Sequence, residues 1–188
     1  MKRLIIIGVL ASLVMLLSAV SYVSSESNEQ TKTYKIGARG PAGGWIFYDN
    51  GDYSEGWRYL EAASEDIEDM QWGCYNKSIP GAKGIAVGAG KKNTLAIVNA
   101  CKEADAAAKK CTDYRGGGKS DWFLPSKDEL NTMFVNLHKA GIGGFADNTY
   151  WSSFEFDSAN AGYQSFYTGS QDHGSKYFKT LVRPVRAF

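Results

Sequence analysis

The sequence predicts an α+β domain in which two helices pack beside an antiparallel sheet, and three observations carry this prediction. Strand-like segments rich in aromatic and branched residues lie near the start of the domain, helical patterns follow in the middle, and short strand-like segments return before the C-terminus. Strands that are followed by helices and then by further strands are typical of this class. The prediction is therefore a sheet with the helices beside it.

A β-hairpin is the first predicted element. Residues 43–49 and 57–62 are rich in aromatic and branched side chains, and they flank the turn-forming run Asn-Gly-Asp-Tyr-Ser-Glu-Gly at residues 50–56. Two such segments around a turn of this composition are typical of paired strands. The next stretch, residues 64–92, carries glycines at positions 81, 84, 88 and 90 and is predicted to be a loop.

Two helices are predicted in the middle of the chain. The first covers residues 93–111, with Asn93 or Thr94 as its N-terminal cap. The second begins at Ser126, which forms a capping box with Glu129: the hydroxyl accepts from the backbone N–H three residues later, and the carboxylate accepts from the N–H of the cap. The apolar stripe of this helix and its terminal glycine are Leu130, Met133, Phe134, Leu137 and Gly141.

Three short strands are predicted in the last part of the chain, at residues 150–156, 162–168 and 177–185. The polar, turn-forming residues 157–161 and 169–175 separate them. Short strands joined in this way favour a β-meander at the C-terminus.

Four side chains near these strands carry predictions about burial. Trp122 and Trp151 are expected in the core, because aromatic side chains contribute the largest apolar areas to packing. Arg183 and Arg186 are three residues apart on one predicted strand, so their side chains project to opposite faces. One of the two is therefore expected to be partly buried beside a carboxylate.

Residues 1–25 are predicted to direct export. Lys2 and Arg3 precede an apolar run, and small residues at 23–25 provide a site for signal peptidase. The alternative is a retained membrane anchor, because residues 4–23 are about as long as the roughly 20 residues that cross a bilayer. In either case the remainder is expected in the periplasm, the cell envelope or the extracellular space.

The exported part divides into a flexible polar leader at residues 26–35 and a single domain at residues 36–188. The full chain has 21 basic and 20 acidic residues, and removal of Lys2 and Arg3 leaves 19 against 20. Proteins that bind nucleic acids normally present a basic face. The balance of charge therefore argues against a nucleic-acid partner.

Three motifs in the last third of the chain resemble a known family. They are Asp-Trp-Phe-Leu-Pro-Ser-Lys-Asp-Glu-Leu at 121–130, Tyr-Trp-Ser-Ser at 150–153 and Leu-Val-Arg-Pro-Val-Arg-Ala-Phe at 181–188. Their order and spacing are similar to those of the Lcl C-terminal domain family, secreted bacterial modules related in fold to C-type lectins and to formylglycine-generating enzymes. The resemblance covers roughly residues 36–188. It implies a C-type lectin-like fold, whose C-terminal β-meander returns to the start of the domain, and a binding role that includes adhesion.

The chain has three cysteines. Because exported proteins commonly form disulfides, one disulfide is expected, and one cysteine is left unpaired. In the family that the C-terminal motifs resemble, a glycine-rich turn often lies between two cysteines. This resemblance favours a Cys101–Cys111 pair. On one unbroken helix these residues would be about 15 Å apart, beyond the roughly 4.4 to 6.8 Å that a disulfide allows between Cα atoms. The pair therefore requires a break at residues 102–105, and a continuous helix would make Cys74 the partner.

Ligand contact is predicted on the outer face of the terminal meander and in its two turns. These turns are long, polar and glycine-bearing on a rigid framework, which is where binding groups concentrate. Tyr163 is expected to supply a stacking surface, and its polar neighbours directed hydrogen bonds. An ordinary solvated loop is the alternative, and the glycine-rich loop at residues 81–92 is the next candidate. The predicted ligand-binding residues are Glu155, Asp157, Tyr163, Gln171, Asp172 and His173.

These side chains and the family resemblance favour a non-catalytic binding module with an extracellular glycan or protein as its partner. A structural envelope protein that binds a partner protein is the alternative, and a carbohydrate-active enzyme is third. Catalysis would need a base, and the chain has two histidines, His138 and His173. Glu155 and Asp157 are the candidate acid pair for glycoside cleavage. No cofactor and no metal site is predicted.

Overall fold

The computed structural model describes residues 32–188. Within this range, Tyr34–Phe188 form one compact unit. The predicted export segment at residues 1–25, with its two alternatives, and the first residues of the predicted leader lie outside the described residues. None of the helices in the described part of the chain has the length and apolar character that crossing a membrane requires.

The described residues contain eight strands and three α-helices. The strands are β1 (Trp45–Asp49), β2 (Tyr59–Ala62), β3 (Ile67–Gln71), β4 (Thr149–Glu155), β5 (Asn160–Ser165), β6 (Gln171–Ser175), β7 (Lys179–Val182) and β8 (Val185–Ala187). The helices are α1 (Gly90–Ala100), α2 (Ala107–Asp113) and α3 (Lys127–Asn136). Short 3-10 turns occupy Gly116–Gly118 and His138–Ala140.

The strands form two sheets with the helices beside them, as predicted for an α+β domain. One sheet has the order β1-β2-β8 and the other has the order β3-β7-β4-β5-β6. Every pair is antiparallel except β4 with β7. Strands β4, β5 and β6 form a meander, whereas β7 crosses to the other side of β4 and runs parallel to it. The larger sheet therefore has β6 at one edge and β3 at the other.

The predicted hairpin is formed by β1 and β2, and the end of the chain adds β8 to it. The Phe188 carbonyl accepts hydrogen bonds from the backbone N–H groups of Arg58 and Tyr59 at 2.8 and 3.0 Å. Tyr34 packs edge-on against Tyr59 and Phe188, with ring centroids 5.2 and 5.4 Å away. Tyr34 is buried and is the first residue of the compact unit.

Helix α3 confirms the predicted capping box. The Glu129 N–H donates to Ser126 Oγ at 3.2 Å, and the Ser126 N–H donates to Glu129 Oε2 at 2.6 Å. Leu130 and Met133 are buried on the apolar side of the helix. The chain then continues through a 3-10 turn to Gly141, whose φ of 69° is a left-handed conformation that glycine adopts at little cost.

The predicted helix at residues 93–111 is two helices, α1 and α2, with the segment 101–106 between them. The backbone is extended at Cys101, with φ −97° and ψ 121°. Asn93 lies inside α1 instead of capping it, and its side-chain amide donates to the backbone of the preceding loop at 2.6 Å. The break that the predicted cysteine pair requires is therefore present.

The disulfide nevertheless joins Cys74 to Cys101, so the predicted pair Cys101–Cys111 is wrong. The Cα atoms of the bridge are 5.5 Å apart, within the range that a disulfide allows. Cys74 reaches this position because it has a left-handed φ of 52° in the turn after β3. Its N–H donates to Glu103 Oε2 at 3.1 Å. Cys111 is a buried free thiol, and burial raises its pKa.

Three strands were not predicted as separate elements, and each lies at the edge of a sheet. Strand β8 begins at the last residue of the predicted strand 177–185 and lies at the edge of the smaller sheet. The other two lie at the edges of the larger sheet. Strand β6, Gln-Asp-His-Gly-Ser, occupies the predicted turn at residues 169–175, and β3, Ile-Glu-Asp-Met-Gln, lies within the predicted loop at residues 64–92. An edge strand is paired on one side, and its exposed positions favour polar or charged side chains. Such strands therefore carry a weaker apolar signal than central ones.

Two apolar clusters form most of the core. Trp72 and Trp151 belong to the cluster that includes buried residues of α1, α2 and the larger sheet. Tyr150 and Phe166 belong to the cluster that includes the apolar residues of α3. The prediction that Trp122 and Trp151 are core residues is confirmed, because both are almost fully buried.

Arg183 and Arg186 are both buried beside carboxylates, where the sequence predicted this for one of them. Arg183 Nε donates to Asp66 Oδ1 at 2.5 Å. Arg186 donates two hydrogen bonds to the Asp121 carboxylate, at 2.9 and 3.0 Å, and a third to Glu61 Oε2 at 3.3 Å. These ion pairs connect the C-terminal segment to the rest of the domain.

Candidate ligand-binding site

The predicted ligand-binding residues are divided between the two faces of the meander. In the pairing of β5 with β6, Tyr163 lies opposite Asp172, and Gln164 lies opposite Gln171. Directly opposed residues share a face of the sheet and neighbouring residues alternate. Tyr163 and Asp172 therefore lie on one face, and Gln171 and His173 lie on the other. The structure does not bring the six residues to one surface.

The face that carries Gln171 and His173 contacts α3 and an exposed aromatic ring. Gln171 Nε2 donates to the Lys127 carbonyl of α3 at 2.7 Å, which gives Gln171 a structural role. The His173 ring stacks on Phe156, with centroids 3.7 Å apart and planes at 8°. The His173 N–H also donates to Asp172 Oδ1 at 2.8 Å. His173 and Asp172 are exposed, and the contacts of His173 are with Asp172 and with Phe156.

Glu155 is buried, contrary to its predicted place on the outer face. The loop before α1 covers this end of β4, and the Ile79 N–H donates to Glu155 Oε1 at 2.8 Å. Lys176 Nζ lies 2.6 Å from the same oxygen, and Lys83 Nζ lies 3.0 Å from Oε2. The Trp72 ring lies 4.6 Å from Lys176 Nζ. The carboxylate is thus held by two ammonium groups and has no surface for a ligand.

Asp157 is exposed and closes its own turn. Its Oδ1 accepts hydrogen bonds from the backbone N–H groups of Ala159 and Asn160 at 2.8 and 2.7 Å. The hydrogen bond from the Asn160 side chain, together with those from the backbone, lowers the pKa of Asp157. Because Glu155 is buried and Asp157 closes a turn, this acid pair does not line a common cleft.

An open cleft of about 240 Å³ lies on the face of the meander that carries Tyr163. We call it the Tyr163 cleft. Of the six predicted residues, Tyr163 lines it, and Trp151 packs edge-on against the Tyr163 ring with centroids 6.1 Å apart. The residues that line the cleft are Asn148, Thr149, Trp151, Tyr163, Gly174, Phe178, Lys179 and Thr180.

Gly174 allows the Tyr163 ring to pack closely on β6. A Cβ atom at this position would lie 3.1 Å from Tyr163 Cε1, a tight contact, and 3.9 Å from Phe178 Cδ2. A larger residue would therefore displace the Tyr163 ring. The Tyr163 side chain is half-buried and Phe178 is 65% exposed, so both rings present surface to the cleft.

Short polar groups complete the lining of the cleft. Thr180 Oγ1 donates to the Thr149 carbonyl, and Asn148 Oδ1 accepts from the Thr149 N–H at 2.7 Å. Lys179 is exposed and adds an ammonium group. The cleft thus combines aromatic rings with hydroxyl, amide and ammonium groups that can hydrogen-bond a polar ligand.

Phe178 was not predicted as a site residue from the sequence. The sequence pattern places this residue inside the predicted strand 177–185, whereas the structure places it in the turn between β6 and β7. The sequence feature that could have identified Phe178 is the pair of adjacent aromatic residues, Tyr177 and Phe178. Successive side chains of a strand point to opposite faces, so one of two neighbouring aromatic residues is expected to be exposed. Both are, at 66% and 65%.

Among the described residues, one group of side chains has the spacing of metal ligands. Cys74, Cys101 and Glu103 offer atoms that lie within 4.8 Å of one another. The two sulfur atoms are joined in the disulfide, and the carboxylate accepts the hydrogen bond from the Cys74 N–H. The sulfur atoms are therefore bonded to each other, and the carboxylate is hydrogen-bonded to the backbone of the same group of residues.

No protein-family model and no curated protein sequence matches this chain. Among solved structures, the chain is similar to a fimbrial protein from Bacteroides ovatus ATCC 8483, at 14% sequence identity and a TM-score of 0.49. The match covers 70% of this chain and 36% of that chain, so this chain corresponds to about a third of its structural neighbour. A similarity this distant supports no statement about function.

Proposed function

We propose that this chain is an exported, non-catalytic binding module that holds a carbohydrate in the Tyr163 cleft. The observation that carries the proposal is the lining of this cleft, in which Tyr163 and the exposed Phe178 lie beside hydroxyl, amide and ammonium groups. A sugar ring has apolar C–H faces and polar hydroxyl edges. Aromatic rings beside hydrogen-bonding groups match both parts of such a ligand.

The dimensions of the cleft favour contact with one sugar unit. Its volume of about 240 Å³ is below the roughly 300–1,000 Å³ of pockets that enclose drug-sized ligands. The exposed Phe178 ring leaves one side of the cleft open to solvent. A longer glycan can therefore place one unit between the aromatic rings and extend away from the protein.

The disulfide supports an exported location. Cys74 and Cys101 are bridged, and disulfides persist in the periplasm, at cell surfaces and outside the cell, whereas they are rare in the cytosol. The predicted export segment at residues 1–25 leads to the same location. The resemblance of the C-terminal motifs to the Lcl C-terminal domain family favours a binding role too, and membership of that family remains a prediction.

A partner protein is the second candidate ligand, because exposed aromatic rings continue beside Phe178. The rings of Tyr75 and Tyr177 lie 6.2 Å apart, and these residues are 50% and 66% exposed. Clustered exposed aromatic side chains are typical of protein interfaces. A sugar would contact Tyr163 and Phe178, whereas a protein interface would extend over Tyr75 and Tyr177 as well.

Glycan-array binding of the purified chain, beside a pull-down from envelope extract, separates the two candidates. We expect binding to a defined set of glycans, competition by the free sugar, loss of binding in Phe178→Ala and full binding in the matched control Tyr75→Ala. The proposal fails if no glycan binds and the pull-down captures a protein that both variants lose.

A further inference from the structure

We propose that a second cavity, between the β1–β2 turn and the loop before α1, binds a small zwitterion, an α-amino acid with an apolar side chain. We call it the hairpin cavity. Its volume is about 240 Å³, and its lining includes Glu55, Trp57, Leu60, Gly88, Lys91 and Phe123. The site shares no lining residue with the Tyr163 cleft, and it does not depend on the carbohydrate proposal.

Glu55 and Lys91 bring opposite charges to this cavity without neutralising each other. Both residues are exposed and line the cavity, and neither forms an ion pair within 4.0 Å in the described part of the chain. By contrast, Asp49 and Arg58 of the same hairpin are paired at 2.8 Å. Lys91 lies near enough to Asp121 to help lower the pKa of that carboxyl, but Asp121 is hydrogen-bonded to Arg186. A ligand with an ammonium group and a carboxylate would provide a hydrogen-bonded partner for both Glu55 and Lys91.

The accessible apolar surface of the cavity is supplied by Trp57. Leu60 and Phe123 lie at the base of the cavity and are almost fully buried, so they support the indole instead of offering surface of their own. The Trp57 indole is half-buried and lies beside Tyr48, with ring centroids 6.1 Å apart. Since pockets for drug-sized ligands have about 300–1,000 Å³, the smaller volume here favours a molecule of the size of leucine or phenylalanine.

The loop before α1 forms one wall of the hairpin cavity, and Gly88 fixes the position of this loop. Its φ of 92° is a conformation that other residues rarely adopt. Its N–H donates to Glu129 Oε1 at 2.8 Å, which ties the loop to the start of α3. A Cβ atom on Gly88 would lie 3.3 Å from Trp57 Cζ2 and 3.8 Å from Glu55 Oε2. The loop is thus held close to the indole and the carboxylate, as a formed site requires.

Isothermal titration calorimetry of the purified chain with L-leucine and L-phenylalanine tests the proposal. Two analogues each lack one charge: L-phenylalaninamide lacks the carboxylate, and N-acetyl-L-phenylalanine lacks the ammonium group. Glu55→Gln and Lys91→Met remove the matching charges of the protein at exposed positions, where folding is little affected. Lys92→Met is the matched control, because Lys92 is exposed on the same helix but does not line the cavity.

We expect at least one amino acid to bind, and both analogues of phenylalanine to bind more weakly than phenylalanine by about fivefold or more. Glu55→Gln should weaken phenylalanine and leave N-acetyl-L-phenylalanine unchanged, and Lys91→Met should weaken phenylalanine and leave the amide unchanged. Lys92→Met should bind as the unaltered chain does. The proposal is overturned if neither amino acid gives binding heat, if either analogue binds as tightly as phenylalanine, or if Lys92→Met weakens binding as much as Lys91→Met does.

Discussion

Lys176 Nζ lies 2.6 Å from Glu155 Oε1, and neither side chain is exposed to solvent. Lys176 Nζ also donates to the Lys77 carbonyl at 3.0 Å. Burial lowers the pKa of Lys176, while the Glu155 carboxylate opposes this shift. The pair connects the turn after β6 to the loop before α1 and to the end of β4. Removal of Glu155 would leave the Lys176 ammonium buried without a carboxylate, whereas removal of Lys176 would leave Glu155 with the partly exposed Lys83 as its remaining ammonium partner.

We therefore expect Lys176→Met to lower the free energy of unfolding by about 3 kcal/mol, the lower end of the usual cost of breaking a buried pair, because Lys83 still compensates part of the Glu155 charge. Lys83→Met is the control, because Lys83 is 42% exposed in its ion pair with the same carboxylate. Its loss should cost about 1 kcal/mol or less. Urea denaturation followed by tryptophan fluorescence measures both values, and equal losses would contradict the account of a buried pair.

The stability of the domain should fall as the pH rises towards neutrality because of Glu129. Burial raises the pKa of this carboxyl from 4.5 to about 7, while hydrogen bonds from the backbone N–H groups of Ser126 and Gly88 oppose the shift. An acid with a raised pKa holds its proton more tightly in the folded state. Its contribution is therefore present below about pH 4.5 and is lost as the pH rises through about 7, a change on the order of 3 kcal/mol.

Glu129→Gln isolates this titration, because the amide cannot ionise. Urea denaturation between about pH 5 and pH 8 should show that the unaltered chain loses stability relative to the variant as the pH rises. The variant should be less stable at low pH, since its single amide oxygen cannot accept from both the Ser126 and the Gly88 N–H groups. A constant difference between the two chains across this range would mean that Glu129 does not titrate there.

Replacement of both bridged cysteines should cost more stability than replacement of the free one. The disulfide joins residues separated by 27 positions, and a loop of this length corresponds to about 3–4 kcal/mol. The double variant Cys74→Ser, Cys101→Ser should lose this amount, and Cys111→Ala should lose about 1 kcal/mol from its small cavity. Peptide mapping without reduction checks the pairing, and a linked Cys101–Cys111 peptide would refute it.

Arg186→Lys should destabilise the domain by about 2–3 kcal/mol, because lysine cannot reproduce the paired hydrogen bonds to Asp121 together with the bond to Glu61. The matched control is Arg58→Lys. Arg58 makes a similar pair of hydrogen bonds to Asp49, at 2.8 and 3.1 Å, but both side chains are partly exposed. Its replacement should cost about 1 kcal/mol or less. Indistinguishable unfolding midpoints would contradict this difference.

The features that the sequence predicts correctly have causes that lie within a few residues. Ser126 and Glu129 cap α3 across one helical turn, and Gly141 ends the following turn through its own backbone conformation. The hairpin depends on the turn between its two strands. Propensity, capping and turn chemistry act at this range, so a single sequence is enough to identify them.

The features that the sequence does not predict depend on contacts between distant segments. Cys74 meets Cys101 because the turn after β3 has a left-handed backbone at Cys74. Burial of Glu155 depends on lysines from two separate loops. The Tyr163 cleft depends on Gly174, which belongs to a polar edge strand whose sequence predicts a turn. None of these partners can be found from periodicity along one element.

Calorimetric titration of the bound glycan into Tyr163→Ala and Tyr167→Ala tests the carbohydrate site most directly. Tyr163 borders the cleft, whereas Tyr167 is a 78% exposed tyrosine outside its lining. We expect Tyr163→Ala to weaken binding by about tenfold or more. Gly174→Val should also weaken it, because a side chain at this position would displace the Tyr163 ring, and Tyr167→Ala should have no effect. Unchanged affinity in Tyr163→Ala and Gly174→Val, with both variants folded, would contradict the proposed site.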